Sequence, residues 1–357
     1  MARPPFSPLR IRALVLSAGL GLRLRPLTAQ LPKPLLPVFG RPLVAHSLER
    51  LAEVGCEAVA LNVHHLAAAI EKSVGAEWRG IPLTYSHEEE LLGTLGALRP
   101  LRDFLAPADL ILVINGDSLC RWPLRRLIRR HLRARPAATL LVSERAETAR
   151  FGGGIGIGGD GVIRDFRRGA TPEPHGPERQ GFVRRVFAGA HVIEPRLLEA
   201  VMAGEGAGCL VRDLYEPLLA GGEVLRAVPT GVRWHDLGTP ERYLLGVLEA
   251  ARGRGPVRAL RRNWVAPSAR LARGVRLRRA VVESDARIGE GSRLEDAMVL
   301  TGARVAARSH LRRTLVAPGV ELPRGARIEG RVVTPLSAGR ISTADTVVGK
   351  LVYTPFA

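Results

Sequence analysis

The sequence predicts an α/β protein with a Rossmann-like, mostly parallel sheet and helices on both faces, followed by a short parallel β-solenoid. Between residues 11 and 145, apolar β-branched runs alternate with amphipathic segments, which is typical of βα units on a parallel sheet. From residue 264 onward the helical spacing is lost, and Val, Leu or Ile recurs every five or six residues. Such a short period predicts a chain that coils into stacked strands.

Each predicted strand of the first region is a short apolar run, and helical spacing follows most of them. The predicted strands cover residues 11–17, 57–63, 81–86, 109–115 and 138–143. Helices are predicted over residues 41–55, 93–105 and 123–133, and near residues 194–203 and 210–220. A further strand carries the stretch VRWHDL, and Thr239, Pro240 and Glu241 then predict the start of a last helix.

Changes in composition divide the chain into four predicted parts. Residues 1–10 are expected to form a flexible leader, 11–252 the α/β domain, 253–263 a linker, and 264–357 the solenoid and a C-terminal tail. The proline-bearing loop 167–181 is expected to cover or border a site. Residues 336–357 are expected to cap the last solenoid coil or to make an oligomer contact.

Composition narrows the class of protein. The 357 residues are 46% hydrophobic and 24% charged, which is ordinary for a soluble globular protein and excludes disordered and collagen-like classes. The start lacks the apolar region of a secretory signal, and no long uncharged apolar stretch is present, so a cytoplasmic location without membrane association is expected. Cys56, Cys120 and Cys209 are widely separated, which favours neither a disulfide framework nor a zinc site.

The net charge of +19 raises the question of nucleic-acid binding. The excess consists almost entirely of arginine spread along the chain, and lysine occurs only at positions 33, 72 and 350. The dense run 121–135 has apolar spacing that predicts an amphipathic helix with arginines on its solvent face. Few aromatic residues accompany these arginines for base stacking, so nucleic acid is not the expected partner.

The stretch ALVLSAGLGLRLRPLTAQLPKPLLPV, residues 13–38, joins an apolar strand, a glycine-rich turn and several cations. One interpretation of Gly19 and Gly21 is a plain tight turn. The other is a loop whose bare backbone N–H groups approach phosphates, with Arg23 and Lys33 supplying positive charge. A dinucleotide fingerprint is disfavoured because the third glycine is absent and Arg25 and Pro26 follow.

This stretch resembles the signature of the sugar-1-phosphate nucleotidyltransferases, also called nucleoside-diphosphate-sugar pyrophosphorylases. The matching pieces are LSAGLGLRLRPLT and PKPLLPV, followed in the expected order by SHEEELLGTLGAL, INGDSL and WHDLGTPERY. The resemblance covers roughly residues 11–250. The solenoid is similar to the left-handed β-helix that many members carry at the C-terminus.

The resemblance implies a role for each matching residue. Nucleotide binding is implied for Leu16, Ala18, Gly19, Gly21, Glu88, Gly93, Thr94 and Gly116. Catalytic roles at the phosphates are implied for Arg23, Lys33 and Asp117, and a metal site for Asp117 and Asp236. Two carboxylates with phosphate oxygens and water suit Mg²⁺. From the residues alone, an isolated Asp at a strand end is also typical of a turn or a helix cap.

The implied reaction joins a nucleoside triphosphate to a sugar 1-phosphate and releases pyrophosphate. Its nucleophile is already an anion, so catalysis is expected from positioning and charge neutralisation. The stretch LLGTLGALR resembles that of mannose-1-phosphate guanylyltransferases. Glu88 accepts hydrogen bonds only, which suits the donors of guanine and favours GTP, whereas the alternative is that Glu88 to Glu90 form a solvated loop.

Sugar selection is where the sequence departs from the family. The usual Phe-x-Glu-Lys-Pro segment is replaced by DFRRGATPEP, whereas Gly153, Gly154 and Gly189 match the floor of the sugar pocket by position. Leu22 also stands where the family commonly has threonine.

Three functions therefore remain open. They are a guanylyltransferase for mannose 1-phosphate or a similar sugar, a uridylyl- or thymidylyltransferase for glucose 1-phosphate, and a non-catalytic regulatory subunit of the same fold. Homo-oligomer formation through the C-terminal domain is expected.

Overall fold

Residues 9–29, 31–151, 153–166, 182–252, 263–338 and 341–356 are described by the computed structural model. The chain divides into two units. The first consists of Met1–Gly19, Val44–Gly116 and Cys120–Trp234, and the second of Leu20–Leu43, Asp117–Leu119 and His235–Ala357. Most of the predicted leader and linker, and the loop 167–181, lie outside the described residues, so the predicted boundaries at 252 and 264 stay predictions.

The first unit is organised around a mixed sheet that has ten strands among the described residues. Its continuous order is Ile163–Phe166, Ile155–Gly158, Phe182–Ile193, Leu110–Asn115, Ile11–Leu16, Ala58–Val63, Ile81–His87 and Glu77–Trp78. Ala138–Ser143 pairs with both Phe182–Ile193 and Leu225–Thr230. The five predicted strands of this sheet are confirmed to within one residue at each end.

Parallel pairing runs through the centre of this sheet. Ile11–Leu16 lies between Ala58–Val63 and Leu110–Asn115, parallel to both, and Ala58–Val63 is also parallel to Ile81–His87. All six residues of Ala58–Val63 are buried, as expected for a parallel strand covered on both faces. The carboxyl ends of the central strands therefore meet at one edge of the sheet, where open α/β sheets bind ligands.

The helices of the first unit are amphipathic or short. They are Leu43–Glu53, Ala67–Val74, Gly93–Gly96, Arg102–Leu105, Leu124–Ala134, Leu198–Met202 and Glu216–Ala220. The first residue of the first of these helices, Leu43, is the last residue of a segment of the second unit. Shorter 3-10 turns cover Arg99–Leu101, Thr148–Phe151 and Pro195–Leu197, and Leu210–Tyr215 is a π-helix. Leu124–Ala134 buries Leu124, Leu127, Ile128 and His131, and its arginines are exposed as predicted.

The single helix predicted over residues 93–105 is wrong. The segment forms Gly93–Gly96, then the 3-10 turn Arg99–Leu101, then Arg102–Leu105. Pro100 lacks a backbone N–H and disfavours α geometry in the residue before it, so a continuous helix cannot pass through this position without loss.

The second unit contains the predicted solenoid. One sheet stacks Trp264–Val265, Arg276–Val282, Arg293–Val299, His310–Val316 and Arg327–Pro335 in parallel, and a second stacks Arg270–Leu271, Arg287–Ile288, Arg304–Val305 and Glu321–Leu322. Equivalent residues are 17 apart, as for Ala280 and Asn263. The inward apolar residues of successive coils, such as Leu294 and Leu311, stack on one another and are buried.

Left-handed backbone conformations mark the corners of each coil. Residues with positive φ recur at three places in the repeat: Gly274, Gly291, Arg308 and Gly325; Arg279, Asp296, Arg313 and Gly330; and Asp285, Gly302 and Gly319. Three corners per coil give three faces, which is consistent with the left-handed parallel β-helix that the sequence predicts. On an outer face, Arg312 lies 3.2 Å from Glu329 of the next coil.

The C-terminal tail ends the larger solenoid sheet. Leu351–Pro355 pairs antiparallel with Arg327–Pro335, and Thr346–Val348 pairs with Leu351–Pro355. The antiparallel strand satisfies backbone groups that the last coil would otherwise expose, so the tail forms the predicted cap.

Segments from early in the chain share the apolar core of the solenoid. Leu36, Val38 and Leu43 are fully buried in one cluster with Val281 and Val282. The helix Pro240–Ala250 adds further members of the cluster, namely Tyr243, Leu244, Val247 and Leu248. Thr239 caps this helix as predicted, because its side chain accepts the N–H of Arg242 at 3.2 Å.

No helix in the described part of the chain combines the length and the apolar character needed to cross a lipid bilayer.

Candidate functional site

In the first unit, the ends of two central strands approach each other closely at Gly116. The N–H of Gly116 donates to the carbonyl of Leu16 at 2.9 Å. A Cβ on Gly116 would lie 2.8 Å from that carbonyl oxygen and 2.9 Å from the Ser17 hydroxyl oxygen. Glycine is therefore required here by packing, and the residue that follows it in the chain, Asp117, is placed by a strand end.

The glycine-rich turn after the first strand contains two different glycines. Around Gly19, no atom of the described residues lies within 4 Å of the position that a Cβ would take, so this part of the loop borders open space among them. Gly21 has a positive φ of 58° and precedes the 3-10 turn Leu22–Leu24. The Thr28 hydroxyl donates to the Gly21 carbonyl at 2.7 Å, which fixes the turn. Leu16 and Ala18 are half-buried.

Lys33 and Asp117 form an ion pair in the second unit. Lys33 begins a 3-10 turn between Pro32 and Pro34, and its Nζ lies 2.9 Å from Asp117 Oδ2. The Lys33 side chain is 11% exposed, whereas that of Asp117 is 40% exposed. Ser118 donates its hydroxyl to Asp117 Oδ1 at 3.1 Å. The predicted catalytic lysine and the predicted metal carboxylate are therefore in contact.

Asp236 is paired with an arginine that the sequence did not single out. Arg242 Nη1 donates to Asp236 Oδ2 across the start of the helix Pro240–Ala250. A Cβ on Gly238 would lie 2.9 Å from Asp236 Oδ1 and 3.2 Å from Arg23 Nη2, so glycine leaves room for both side chains. The only signal in the sequence was the helix start TPER, which says nothing about where the Arg242 side chain points.

Strand pairing also relates the two carboxylates. Ser118–Cys120, which follows Asp117, pairs with Trp234–Asp236, which ends on Asp236. Among the described residues, Arg23 and Arg242 thus lie beside Asp236, and Lys33 lies beside Asp117. Such a group has excess positive charge, which favours an anionic ligand such as a phosphate.

The fit of a divalent cation follows from this donor set. Asp117 and Asp236 offer carboxylate oxygens, which are the ligands that Mg²⁺ prefers. Because Gly238 has no side chain, there is room beside it for Asp236 Oδ1. The described residues contain no group of three or more His, Cys, Asp or Glu side chains that could hold a metal ion. Two carboxylates still fit Mg²⁺ when phosphate oxygens and water complete its coordination.

Glu88 in the first unit is not part of a solvated loop. It is 5% exposed, and its Oε1 accepts from the Asn62 side-chain amide at 2.7 Å, whereas its Oε2 accepts from the Leu92 N–H at 3.0 Å. The Asn62 carbonyl in turn accepts the N–H of Ser17 at 2.8 Å. The solvated-loop alternative is therefore wrong for Glu88, although Glu89 and Glu90 are exposed.

Gly93 and Thr94 have structural partners in a neighbouring segment. Gly93 has a φ of 69°, and a Cβ there would lie 2.5 Å from the Gly208 carbonyl oxygen. The Thr94 hydroxyl accepts the N–H of Leu210 at 2.9 Å. Both residues thus fix this turn, and their predicted contact with a nucleotide stays a prediction.

The three glycines predicted to line a sugar pocket also adopt left-handed conformations. Their φ values are 89° at Gly153, 76° at Gly154 and 74° at Gly189. Gly189 lies in an irregularity of the strand Phe182–Ile193, between Phe187 and His191. A Cβ on Gly154 would lie 2.7 Å from the Arg185 carbonyl oxygen. Their role toward a sugar remains a prediction.

Comparison with family models identifies both parts of the chain. A model described as nucleotidyl transferase matches residues 12–252, and a model described as GlmU-like, C-terminal hexapeptide, matches residues 260–332. The hexapeptide period agrees with the spacing of apolar residues in the solenoid.

Relatives with assigned names are similar over the first part. A mannose-1-phosphate guanylyltransferase catalytic subunit beta from Drosophila pseudoobscura pseudoobscura is 32% identical over 240 residues, which is 66% of this chain and 61% of that protein. A mannose-1-phosphate guanylyltransferase from Mycobacterium tuberculosis is 32% identical over 254 residues, covering 71% of this chain and 68% of that protein. The chain therefore spans about three fifths of the length of the fruit-fly relative.

Solved structures support the fold. HddC from Yersinia pseudotuberculosis, in a crystal structure complexed with GMP-PN, superposes with a TM-score of 0.55 at 22% identity, over 67% of this chain and 99% of that one.

Proposed function

The chain belongs to the nucleotidyl transferase family, and on this premise we propose that it condenses a nucleoside triphosphate, preferably GTP, with mannose 1-phosphate or a similar sugar 1-phosphate. The products are a nucleoside-diphosphate sugar and pyrophosphate. The observation that carries the proposal is the charged group of the second unit, in which Lys33 pairs with Asp117 and Arg242 with Asp236. Relatives named as mannose-1-phosphate guanylyltransferases support the choice of base and sugar.

The proposed reaction is a direct displacement. An oxygen of the sugar phosphate forms a bond to the α-phosphorus of the triphosphate, and the bond from that phosphorus to the bridging oxygen breaks, so that pyrophosphate takes the electron pair. The nucleophile needs no deprotonation at neutral pH. Lowering the barrier therefore depends on orientation and on neutralising negative charge on the phosphates.

The residues of the second unit are suited to these tasks. Arg23 is exposed and offers a fork of N–H donors to phosphate oxygens, and Lys33 offers a localised positive charge whose direction is fixed by its pairing with Asp117. Mg²⁺ held by Asp117 and Asp236 would supply further positive charge at the phosphates when bound. Arg242 holds the Asp236 carboxylate in place.

The residues proposed to select the base lie in the first unit. Two of the four lone-pair directions of the Glu88 carboxylate are used by Asn62 and Leu92, and the remaining ones can accept from a base with N–H donors. Guanine has such donors along one edge, which supports GTP. Leu16, Ala18, Gly19, Gly21, Gly93, Thr94 and Gly116 are proposed to contact the nucleotide, and Gly153, Gly154 and Gly189 the sugar.

The proposal is tested by measuring pyrophosphate release from the purified protein in Mg²⁺. GTP, UTP, dTTP, CTP and ATP are each paired with a panel of sugar 1-phosphates. Release that needs both substrates and is fastest with GTP is expected. Preference for UTP or dTTP with glucose 1-phosphate would replace the guanylyltransferase assignment, and binding of nucleotide without any release would favour the regulatory-subunit alternative. The cytoplasmic location and the homo-oligomer remain predictions.

A further inference from the structure

A tight turn of unusual composition follows Lys33 in the chain. Pro37–Val38 and Arg41–Pro42 form a two-stranded antiparallel sheet, and the turn between them consists of Phe39 and Gly40. Both turn residues have positive φ, 55° for Phe39 and 75° for Gly40. Such turns favour Asn-Gly or Gly-Gly, because a residue with a bulky Cβ substituent is disfavoured in the left-handed region. This turn therefore needs support from outside its own sequence.

The support comes from Glu283 in the solenoid. Its Oε1 accepts the N–H of Phe39 at 2.8 Å and its Oε2 accepts the N–H of Gly40 at 2.7 Å. One carboxylate thus holds both consecutive N–H groups of the turn. The Phe39 ring packs edge-on against Trp264, with 5.5 Å between the ring centroids, so the solenoid also fixes the side chain.

Glu283 occupies a position of the repeat at which the next two coils have apolar residues. Register places Leu300 and Ala317 at the equivalent positions of the next two coils, and both are buried. Glu283 is itself fully buried, with 0% of its surface exposed. Because an ionised carboxylate is costly to bury, its presence in place of Leu or Ala calls for a purpose beyond packing the coil. Desolvation raises the pKa of Glu283 to about 7, although the two backbone N–H groups act in the opposite direction.

The turn is connected to Lys33 through a rigid segment. Leu36 is fully buried and its carbonyl accepts the N–H of Leu43 at 2.9 Å, while the Tyr243 hydroxyl donates to the Pro37 carbonyl. Pro34 stiffens the backbone between Leu36 and Lys33. Movement of the turn would therefore be transmitted to the 3-10 turn that aims the Lys33 amine at Asp117.

We propose that Glu283 is a positioning residue for nucleotidyl transfer, which acts by clamping the Phe39–Gly40 turn and thereby setting the Lys33 amine against Asp117. The solenoid then contributes to catalysis, although no solenoid residue is proposed to touch substrate. This inference rests on the proposed function, because its catalytic consequence requires that Lys33 neutralise phosphate charge.

The first test compares Glu283→Gln with Glu329→Gln in the full-length protein. The amide can accept one N–H of the turn but presents its own N–H₂ group to the other, so the clamp is lost without a change of size. A fall in kcat of about tenfold or more is expected, with KM for both substrates changed by less than about threefold, because misplacement acts mainly on the transition state. Glu329 is exposed and pairs with Arg312 on the outer face of the solenoid, so its variant is expected to behave as wild type.

A double-mutant cycle separates positioning from a general loss of stability. If Glu283 acts through Lys33, adding Glu283→Gln to Lys33→Ala lowers kcat by less than about twofold beyond Lys33→Ala alone. Full additivity of the two losses would overturn the proposal, as would wild-type kcat in Glu283→Gln. Glu283→Asp provides an independent variant, since it keeps the charge but is one methylene too short to reach both N–H groups. Wild-type kcat in that variant would also count against the clamp.

Hydrogen exchange gives a readout that does not need catalysis. Peptides covering residues 33–43 are expected to exchange slowly in the wild-type protein and at least about tenfold faster in Glu283→Asp, while peptides from the opposite end of the solenoid are unchanged. If the wild-type protein releases no pyrophosphate but this difference is found, the proposed function fails and the clamp stands. Equal exchange in both proteins would overturn the clamp whatever the activity.

Discussion

Lys33 Nζ lies 2.9 Å from Asp117 Oδ2, across 84 residues of chain. Lys33 lies between two prolines. Asp117 follows Gly116, a position where the packing leaves no room for a Cβ. The two side chains hold each other, and the Ser118 hydroxyl donates to the second oxygen of Asp117. Such pre-organised charge is the form of catalysis that phosphoryl and nucleotidyl transfer require.

Lys33→Ala is expected to lower kcat by about 100-fold or more, because it removes a fixed positive charge from the proposed phosphate site. The free energy of unfolding should change by less than about 1 kcal/mol, since Asp117 is partly exposed and can be solvated. Steady-state pyrophosphate release and urea unfolding check the two statements. Lys72→Ala, on the exposed side of the helix Ala67–Val74, is the matched control. Similar kcat in the two variants would exclude Lys33 from the phosphate site.

Asp117→Asn and Asp236→Asn are each expected to abolish turnover in Mg²⁺ while the protein remains folded, because they remove the carboxylate charge proposed to hold the metal and no core packing. Pyrophosphate release over a range of Mg²⁺ concentrations measures the effect. Glu241→Gln serves as the control: this residue lies beside Arg242 in the first turn of the same helix but pairs with Arg313 in the solenoid. Activity near the wild-type level in both aspartate variants would show that the metal assignment is wrong.

Glu88→Gln is expected to move nucleotide preference from GTP toward UTP or dTTP by about tenfold, because an amide can donate as well as accept. The measured quantity is the ratio of kcat/KM values for GTP and UTP with one sugar phosphate. Some loss of stability should accompany the change, since the amide cannot accept from both Asn62 and Leu92 as the carboxylate does. Glu89→Gln, at an exposed neighbouring position, should leave the ratio unchanged. An unaltered ranking in Glu88→Gln would remove Glu88 from the base site.

Glu283 is expected to make the stability of the protein depend on pH in a defined direction. Burial raises its pKa to about 7, above the ordinary value of 4.5, so the folded state binds this proton more tightly than the unfolded state. The contribution is complete below pH 4.5 and is lost as the pH rises through 7. A difference of this size corresponds to about 3 kcal/mol.

The measurement compares unfolding of the wild-type protein with that of Glu283→Gln between about pH 5 and about pH 8, a range that spans the ionisation of Glu283. Subtracting the two curves removes the other titrating groups, and wild-type stability should fall relative to the variant as pH rises. Tyr243, whose pKa is raised by burial and by Glu283, stays protonated in this range. A difference that does not change with pH would show that Glu283 does not titrate there.

Gly93→Ala is expected to destabilise the first unit by about 2–3 kcal/mol, because the new methyl group meets the Gly208 carbonyl in addition to the cost of a left-handed backbone. Gly80→Ala separates the two effects: Gly80 also has positive φ, but within the described part of the chain no atom lies within 4 Å of the position that its new methyl group would take. Its expected cost is about 1 kcal/mol. Equal destabilisation by urea unfolding would argue against the close contact at Gly93.

The central strands could be predicted from the sequence because buried parallel strands are continuous apolar runs. In Ala58–Val63, for example, all six residues are buried, and polar and apolar residues do not alternate as they would in a half-exposed strand. The prediction of one helix over residues 93–105 was wrong because it followed the helical spacing of the apolar residues and disregarded Pro100, which interrupts the helix. The motif residues Lys33, Asp117 and Asp236 could be selected through family resemblance, although nothing in their spacing showed which cation would pair with which carboxylate.

Among the residues that were missed, Asn62 and Glu283 act over long distances in the chain, whereas Arg242 pairs with Asp236 only 6 residues away. Asn62 joins Ser17 to Glu88, and its own surroundings are those of an ordinary buried strand. Arg242 is one of many arginines in a basic chain. Glu283 stands beside Ser284 and Asp285, a composition typical of an exposed turn, and only the fold shows that its carboxylate is buried against a turn far earlier in the sequence.

The separation of 244 residues between Phe39 and Glu283 has a consequence for synthesis on the ribosome. At about 5–20 residues per second, roughly 10–50 s pass between the emergence of the turn and the emergence of the carboxylate that holds it. During that interval Leu36, Val38 and Leu43 lack the solenoid core in which they are buried in the finished protein. The segment 20–43 is therefore a candidate for transient chaperone binding on the nascent chain. The first unit must complete its own sheet while that segment still lacks the solenoid residues that later bury it.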